Sequence, residues 1–123
     1  MDFILKLELP ASDVDRARAW YSDKLGLEPI VSGEELTYQA GATRFGIYPS
    51  ANAGTNRATA ARLIVADFDA ARADLLANGV VFEDYDFGDD FRTVDGVLVS
   101  PDGEKTAWFK DSEGNILALG SSD

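Results

Sequence analysis

A repeat governs what this chain can become. Leu9-Pro10-Ala11-Ser12-Asp13-Val14-Asp15-Arg16-Ala17-Arg18-Ala19 and Leu63-Ile64-Val65-Ala66-Asp67-Phe68-Asp69-Ala70-Ala71-Arg72-Ala73 agree at six of eleven positions at an offset of 54. Each copy follows a strand-like run and leads to a glycine, Gly26 or Gly79. The same local order on both sides points to duplication of one supersecondary unit. Two copies must fit into 123 residues, a length that suits one globular domain burying roughly two thirds of its unfolded surface.

Each half opens with a strand. In residues 3–9, Phe3, Leu5, Leu7 and Leu9 share a face, and Ile4, Lys6 and Glu8 point the other way. In the second half Ala61, Leu63 and Val65 face opposite Ala60, Arg62 and Ile64. A helix follows each strand. Ser12 is placed to cap the first, with Asp13 and Asp15 near its positive end. Val14, Ala17, Tyr21 and Leu25 recur at helical spacing and should cover the Leu5/Leu7/Leu9 face. Gly26 supplies the left-handed stop. Asp67 caps the second helix, whose buried stripe is Phe68, Ala71 and Leu75.

Short strands then follow, near 27–32, 36–40 and 44–48, and near 80–85, 96–100, 105–110 and 116–119. Pro101-Asp102-Gly103 and Asp111-Ser112-Glu113-Gly114-Asn115 are tight turns. The expected class is α+β. Two tandem βαβββ modules, about 1–50 and 59–123 with a connector at about 51–58, form one domain over 1–123. Helices on the outer faces would leave the inner faces curving around a cup.

Composition then removes whole classes of chemistry. There is no cysteine, which excludes disulfides, thiolate metal sites and cysteine nucleophiles. There is no histidine, which removes the commonest general base and the commonest transition-metal ligand. The net charge of −11 repels nucleic acid and anionic membranes and favours cationic partners in encounter. No apolar run is long enough to span a bilayer and Met1-Asp2-Phe3 does not open like a signal peptide, so a cytoplasmic protein is expected.

With these elements in place, the chain resembles the vicinal oxygen chelate superfamily, the glyoxalase, bleomycin-resistance and dioxygenase group. The resemblance runs through Leu9–Ala17, Trp20-Tyr21, Leu25-Gly26-Leu27, Tyr48–Asn56 and Phe109–Leu119. It implies paired modules forming a cup-shaped half-barrel, frequent dimers, and the cup as binding site. It also implies a divalent metal held by His, Glu or Gln in the enzymes. Matched residue by residue, the ligand positions fall at Lys6, Ala60 and Ala118, with a fourth in Arg44–Tyr48. An ammonium and two methyl groups do not replace that donor set. The expectation is a branch with no metal and no cofactor.

Candidate ligand-binding residues follow from parity and position. Lys6 and Glu8 share a strand face, where they form a polar grip or a structural ion pair. Arg62 points the same way by repeat symmetry, suited to a carboxylate or enolate. Trp108 and Thr106 lie on the cup's parity. Tyr38, Phe45 and Tyr48 come from the corresponding strands of the first half. The segment 82–91 holds five acids and four aromatics; its Phe87 and Phe91, with Glu83, Asp84, Asp86, Asp89 and Asp90 nearby, suit a flat or cationic ligand. The same segment also reads as a solvated edge.

Three functions fit these residues. One is a homodimeric binding protein that sequesters an aromatic or cationic, antibiotic-like molecule. The second is a metal-independent lyase, isomerase or hydrolase using Glu8 as base, Lys6 or Arg62 as oxyanion partner and Tyr38 or Tyr48 as acid. The third is a regulatory module with a vestigial cup. The absence of histidine weighs against the second.

Overall fold

Residues 1–89 and 91–121 are described by the computed structural model, in which the chain forms two units. The first comprises Met1–Arg57 and Asp111–Asn115; the second comprises Ala58–Lys110 and the strand after Asn115.

In the first unit the elements are β1 (Lys6–Ala11), α1 (Val14–Leu25), β2 (Leu36–Ala40) and β3 (Thr43–Pro49). β1 runs parallel to β3, with Lys6 opposite Arg44 and Leu9 opposite Ile47. β2 runs antiparallel on the other side of β3, with Tyr38 opposite Phe45. The order is β1-β3-β2. α1 starts at Asp13, not Ser12: the Asp13 carboxylate accepts the Arg16 N–H at 3.0 Å, and Ser12 is turned to another partner. Gly26 ends the helix at φ 67, the left-handed turn a side chain would resist.

β1 starts three residues later than its alternation suggests, its ladder with β3 beginning at Lys6 opposite Arg44. Leu5 is 65% exposed and Leu7 is also exposed, so α1 does not cover them as expected. The stripe of α1 meets Leu9, Leu36, Tyr38 and Ile47 instead, all buried with Ala17 and Tyr21. Tyr38 stacks on Phe45 at 4.9 Å and 9°, and the Tyr21 ring of α1 lies 5.7 Å from Tyr38. Tyr38 and Phe45 therefore face α1. Tyr38, with no exposed surface, lies on the packed side of the sheet, and Phe45, half-buried, stacks on it from the neighbouring strand. The segment near 27–32 is not a strand but makes one bridge, Val31 to Thr37.

The second unit holds β4 (Thr59–Ile64), α2 (Phe68–Ala77), β5 (Leu98–Val99), β6 (Lys105–Lys110) and β7 (Ile116–Gly120). The order is β4-β7-β6-β5, with β4 parallel to β7 and the other pairs antiparallel. Asp67 caps α2 as expected, accepting the Ala70 N–H at 3.0 Å. Phe68 and Leu75 are buried. Lys105 reaches Asp69 at 3.0 Å and sits over the Phe68 ring, so odd-numbered residues of β6 face α2. Ala107, Phe109, Leu117 and Leu119 form the core on that side. The segment near 80–85 makes only the Phe82–Phe109 bridge. Among the described residues, no helix is long and apolar enough to cross a membrane.

The turn Asp111–Asn115 is the polar centre of the first unit. Asp111 Oδ1 accepts the Glu113 and Asn115 N–H groups, and its Oδ2 accepts the Tyr21 hydroxyl at 2.7 Å and the Asn115 amide. The Asn115 amide also donates to the Pro10 carbonyl. Glu113, with a side chain 0% exposed, accepts from Ser12 Oγ, the Asp13 N–H, Ser112 Oγ and the Arg16 guanidinium at 2.9 Å. Gly114 stands where a Cβ would come within 2.9 Å of the Gly54 Cα, so the turn packs backbone against backbone.

Burial pushes the Glu113 carboxyl up, but Arg16, Ser112 and the Asp13 N–H outweigh it and hold it at about 2. A carboxyl held below its ordinary 4.5 stabilises the fold fully above that pH and loses the contribution as pH falls toward 2. The expected size is on the order of 3 kcal/mol. Urea unfolding from pH 7 to pH 2 should show this slope, and Glu113→Gln should flatten it while costing about 2–3 kcal/mol at neutral pH.

Tyr38 gives a second expectation. Its hydroxyl is buried and has no hydrogen-bond partner among the described residues. Tyr38→Phe should leave stability unchanged or raise it by about 1 kcal/mol, whereas Tyr21→Phe, which strips a donor from Asp111, should cost roughly 1.5–3 kcal/mol. Thermal unfolding of both variants checks this; a large loss at Tyr38 would mean its hydroxyl is engaged.

Candidate functional site

The sheet face opposite each helix carries the chemistry. In the first unit that face bears Lys6, Glu8, Gly46 and Tyr48, by their register on β1 and β3. Lys6 Nζ lies 3.4 Å from Glu8 Oε1. A Cβ on Gly46 would collide with Glu8 Oε2 and lie 2.9 Å from Lys6 Cε. The ion pair thus rests on bare backbone, and glycine at 46 is a steric requirement.

In the second unit the face opposite α2 bears Arg62, Thr106, Trp108, Ala118 and Gly120. Two side chains cross β7 in opposite directions. Arg62 leaves β4, passes over Gly120 and donates to Thr106 Oγ1 on β6 at 3.1 Å. A Cβ on Gly120 would lie 2.5 Å from the Arg62 Cζ. Trp108 leaves β6 and donates its indole N–H to Thr59 Oγ1 on β4 at 3.1 Å. β7 lies between these strands, so the ring crosses β7, where Ala118 is the register partner of Trp108 and is 1% exposed.

Thr59 reaches this face through a β-bulge. Thr59 pairs with Ile116 and Ala61 with Leu117, which takes Ala60 out of the ladder. Without the extra residue, Thr59 would not stand opposite Ile116. The bulge re-aims its hydroxyl toward Trp108.

An aromatic arm adjoins Trp108. Residues 85–87 and 91–93 pair across a narrow hairpin: Thr93 N–H donates to the Tyr85 carbonyl, and Phe87 N–H to the Phe91 carbonyl at 2.7 Å. Asp84 holds its base by accepting from Thr93 Oγ1 and the Gly96 N–H, which hold its carboxyl below the usual range. Tyr85 stands edge-on to Trp108, with centroids 5.6 Å apart and planes at 76°. Phe87 continues the row at 5.4 Å. Phe87 and Phe91 are 68% and 60% exposed. Burial first, then the Glu83 carboxylate, pushes the Tyr85 phenol up, so it remains a neutral donor.

The expected site residues thus divide. Arg62, Thr106 and Trp108 share one face, with the arm of Phe87 and Phe91 beside Trp108. Lys6, Glu8 and Tyr48 share a face of the other unit. Tyr38 belongs to the core, and Phe45 is half-buried against it. Of the acids, Asp84 is structural and Glu83 pairs with Lys110 at 3.5 Å, leaving Asp86 and Asp89 on the arm; Asp90 lies outside the described residues. Thr59 and Tyr85 were missed. The bulge hides Thr59 from any count along the strand, and Tyr85 is one aromatic among four. A shallow depression of about 580 Å³ beside Arg16, Trp20 and Lys24 was also not foreseen, but both bases are paired, with Glu113 and Asp23.

The positions at which the resemblance places metal ligands do not fit a divalent ion. Lys6 carries a cation paired to Glu8. Ala60 is the bulged residue, and Thr59 beside it is bound to the indole. Ala118 is a methyl group, the register partner of Trp108 on β7. Among the described residues, no cluster of three or more Asp or Glu offers an alternative.

No protein-family model and no curated protein sequence matches the chain. Solved structures do. A glyoxalase/bleomycin-resistance protein from Catenulispora acidiphila is 24% identical, with 97% of each chain covered and a TM-score of 0.69. A bleomycin-binding protein solved with bleomycin is 16% identical, with 100% of each chain covered and a TM-score of 0.70. A fosfomycin-resistance protein from Listeria monocytogenes, solved with Mn(II), is 15% identical, covering 100% of this chain and 92% of its own, with a TM-score of 0.67. The repeated units, their strand order and these likenesses agree: the chain has the glyoxalase/bleomycin-resistance fold.

Proposed function

We propose that this chain is a metal-independent binding protein of the cytoplasm that sequesters a small aromatic, antibiotic-like molecule without turning it over. The observation that carries the reading is the indole of Trp108 held across β7 by Thr59, with Tyr85 and Phe87 beside it. A surface of rings adjoins Ala118, one of the positions at which the resemblance places a metal ligand. Stacking on such rings contributes affinity without chemistry. That a structurally similar protein was solved with bleomycin supports the class of function. The enzyme reading loses ground on its own residues: Glu8 is ion-paired to Lys6, and Tyr38, one of its acids, is in the core.

The ligand is flat, and a cationic one gains from Asp86 and Asp89 on the arm. Titrating candidate compounds against tryptophan fluorescence tests this. Trp108→Ala should abolish most of the quenching, and Trp20→Phe should not. Phe87→Ala should weaken binding roughly tenfold, about 1–2 kcal/mol. Asp86→Asn with Asp89→Asn should slow association of a cationic ligand a fewfold, roughly, and flatten its salt dependence, with dissociation little changed. Affinity should be the same before and after dialysis against a chelator. Loss of binding on chelation, restored by a divalent ion, would overturn the metal-independent reading.

The working assembly is a two-fold homodimer. Phe3, Ile4 and Leu5 just before β1, and Leu7 within that edge strand, are exposed, and neighbouring exposed apolar side chains beside an open strand edge call for a partner. Light scattering at about tens of micromolar, well above the dissociation constant of a stable dimer, should give twice the chain mass. A monomer there would overturn the assignment.

A further inference from the structure

We infer that Thr59 is a positioning residue: carried to the face opposite α2 by the bulge at Ala60, it fixes the Trp108 indole across β7 as a platform for a planar aromatic ring. The inference rests on the binding reading above and goes beyond it by naming what orients the platform and how the ligand must lie.

A tryptophan side chain on a sheet face has freedom about two side-chain bonds. An unheld indole on a sheet face would sample several rotamers, and a ligand would bear the cost of selecting one. Here two contacts remove that freedom. Thr59 Oγ1 accepts the indole N–H at 3.1 Å from two strands away, a span of about 10 Å between strand axes. Ala118, the register partner of Trp108, is small and 1% exposed and leaves room for a ring to cross β7. Tyr85 meets it at 76° and makes a wall. The remaining face of the indole is the surface on which a flat ring stacks, and the wall directs that ring's edge toward the Tyr85 ring.

Counting along β4 obscures this. Repeat symmetry pairs Lys6 with Ala60, but the bulge gives the place opposite Ile116 to Thr59. A position that in-line counting assigns to a methyl group thus carries a hydroxyl, and the hydroxyl accepts from the indole. Thr59 touches no ligand in this scheme; it acts through Trp108.

The test uses the full chain with Thr59→Val, which keeps shape and removes the acceptor, and Thr59→Ser, which restores it. The probe is proflavine, a flat cationic dye followed by its own fluorescence polarisation. In ligand-free protein, NMR of the Trp108 indole N–H, assigned with Trp108→Phe, reports the strap directly. Thr59→Val should move that resonance and speed its exchange with solvent about tenfold, the loss expected for one net hydrogen bond, with the thermal midpoint little changed. Dye affinity should fall about five- to tenfold, and Thr59→Ser should return both readouts to within about twofold of the parent. An unmoved resonance in Thr59→Val overturns the strap. A freed indole with unchanged dye affinity overturns the platform. If the parent protein binds neither proflavine nor its neutral analogue acridine, the binding reading fails and the platform role falls with it, while the resonance still decides whether Thr59 holds the ring.

Discussion

A buried carboxylate organises the first unit. Glu113 has no exposed side-chain surface, yet it is charged at neutral pH because five donors meet it. Those donors come from the start of α1 and from the turn itself. The Glu113 carboxylate therefore fixes where the helix begins as well as the shape of the turn. Ser12 illustrates the consequence. By sequence it is a good cap, but its hydroxyl donates to Glu113, and Asp13 caps instead. An unmet charge at this depth would cost several kcal/mol, so the network is satisfied as a whole or not at all. Asp111 continues it inward to Tyr21, whose ring then packs on Tyr38 and Phe45. Polar satisfaction and aromatic packing are consecutive links of one structure.

The two glycines on the central strands show a second rule. Gly46 and Gly120 lie beneath the Lys6–Glu8 pair and beneath Arg62. Neither has positive φ in this structure, so the reason for glycine is space, not backbone freedom. Long charged side chains lie flat on the sheet where no Cβ intervenes, and their polar ends reach neighbours on the same or a distant strand. The result in each unit is a polar group held low on the sheet, with Trp108 adding an aromatic one in the second.

Much of this was legible in the sequence, and the failures have physical causes. The repeat, both helices, Asp67, Gly26 and the strands of β3, β6 and β7 follow from periodicity and capping chemistry. Arg62, Thr106 and Trp108 were placed on one face by parity, and they are. Tyr38 and Phe45 turn toward Tyr21 of α1; alternation says that two residues share a face without saying which face a helix will cover. The first strand was drawn too early, since Phe3, Ile4 and Leu5 have the composition of a strand but no ladder partner on β3. Glu113 was read as a turn residue; nothing in Asp-Ser-Glu-Gly-Asn announces that Arg16, nearly a hundred positions away, will pair with it.

The bulge at Ala60 carries the argument furthest. Transferring site residues between related chains assumes that equal spacing means equal facing. One extra residue in β4 breaks that assumption for every position before it: Ala60 leaves the ladder, and Thr59 takes its place opposite Ile116. The chemistry at that point changes from a methyl group with nothing to offer to a hydroxyl that holds an indole. A single inserted residue alters one facing side chain while the ladder from Ala61 to Ile64 keeps its register. That is how a fold whose sheets are fixed by core packing can exchange the groups it presents, and why a site in this fold has to be read from the register of its strands, residue by residue.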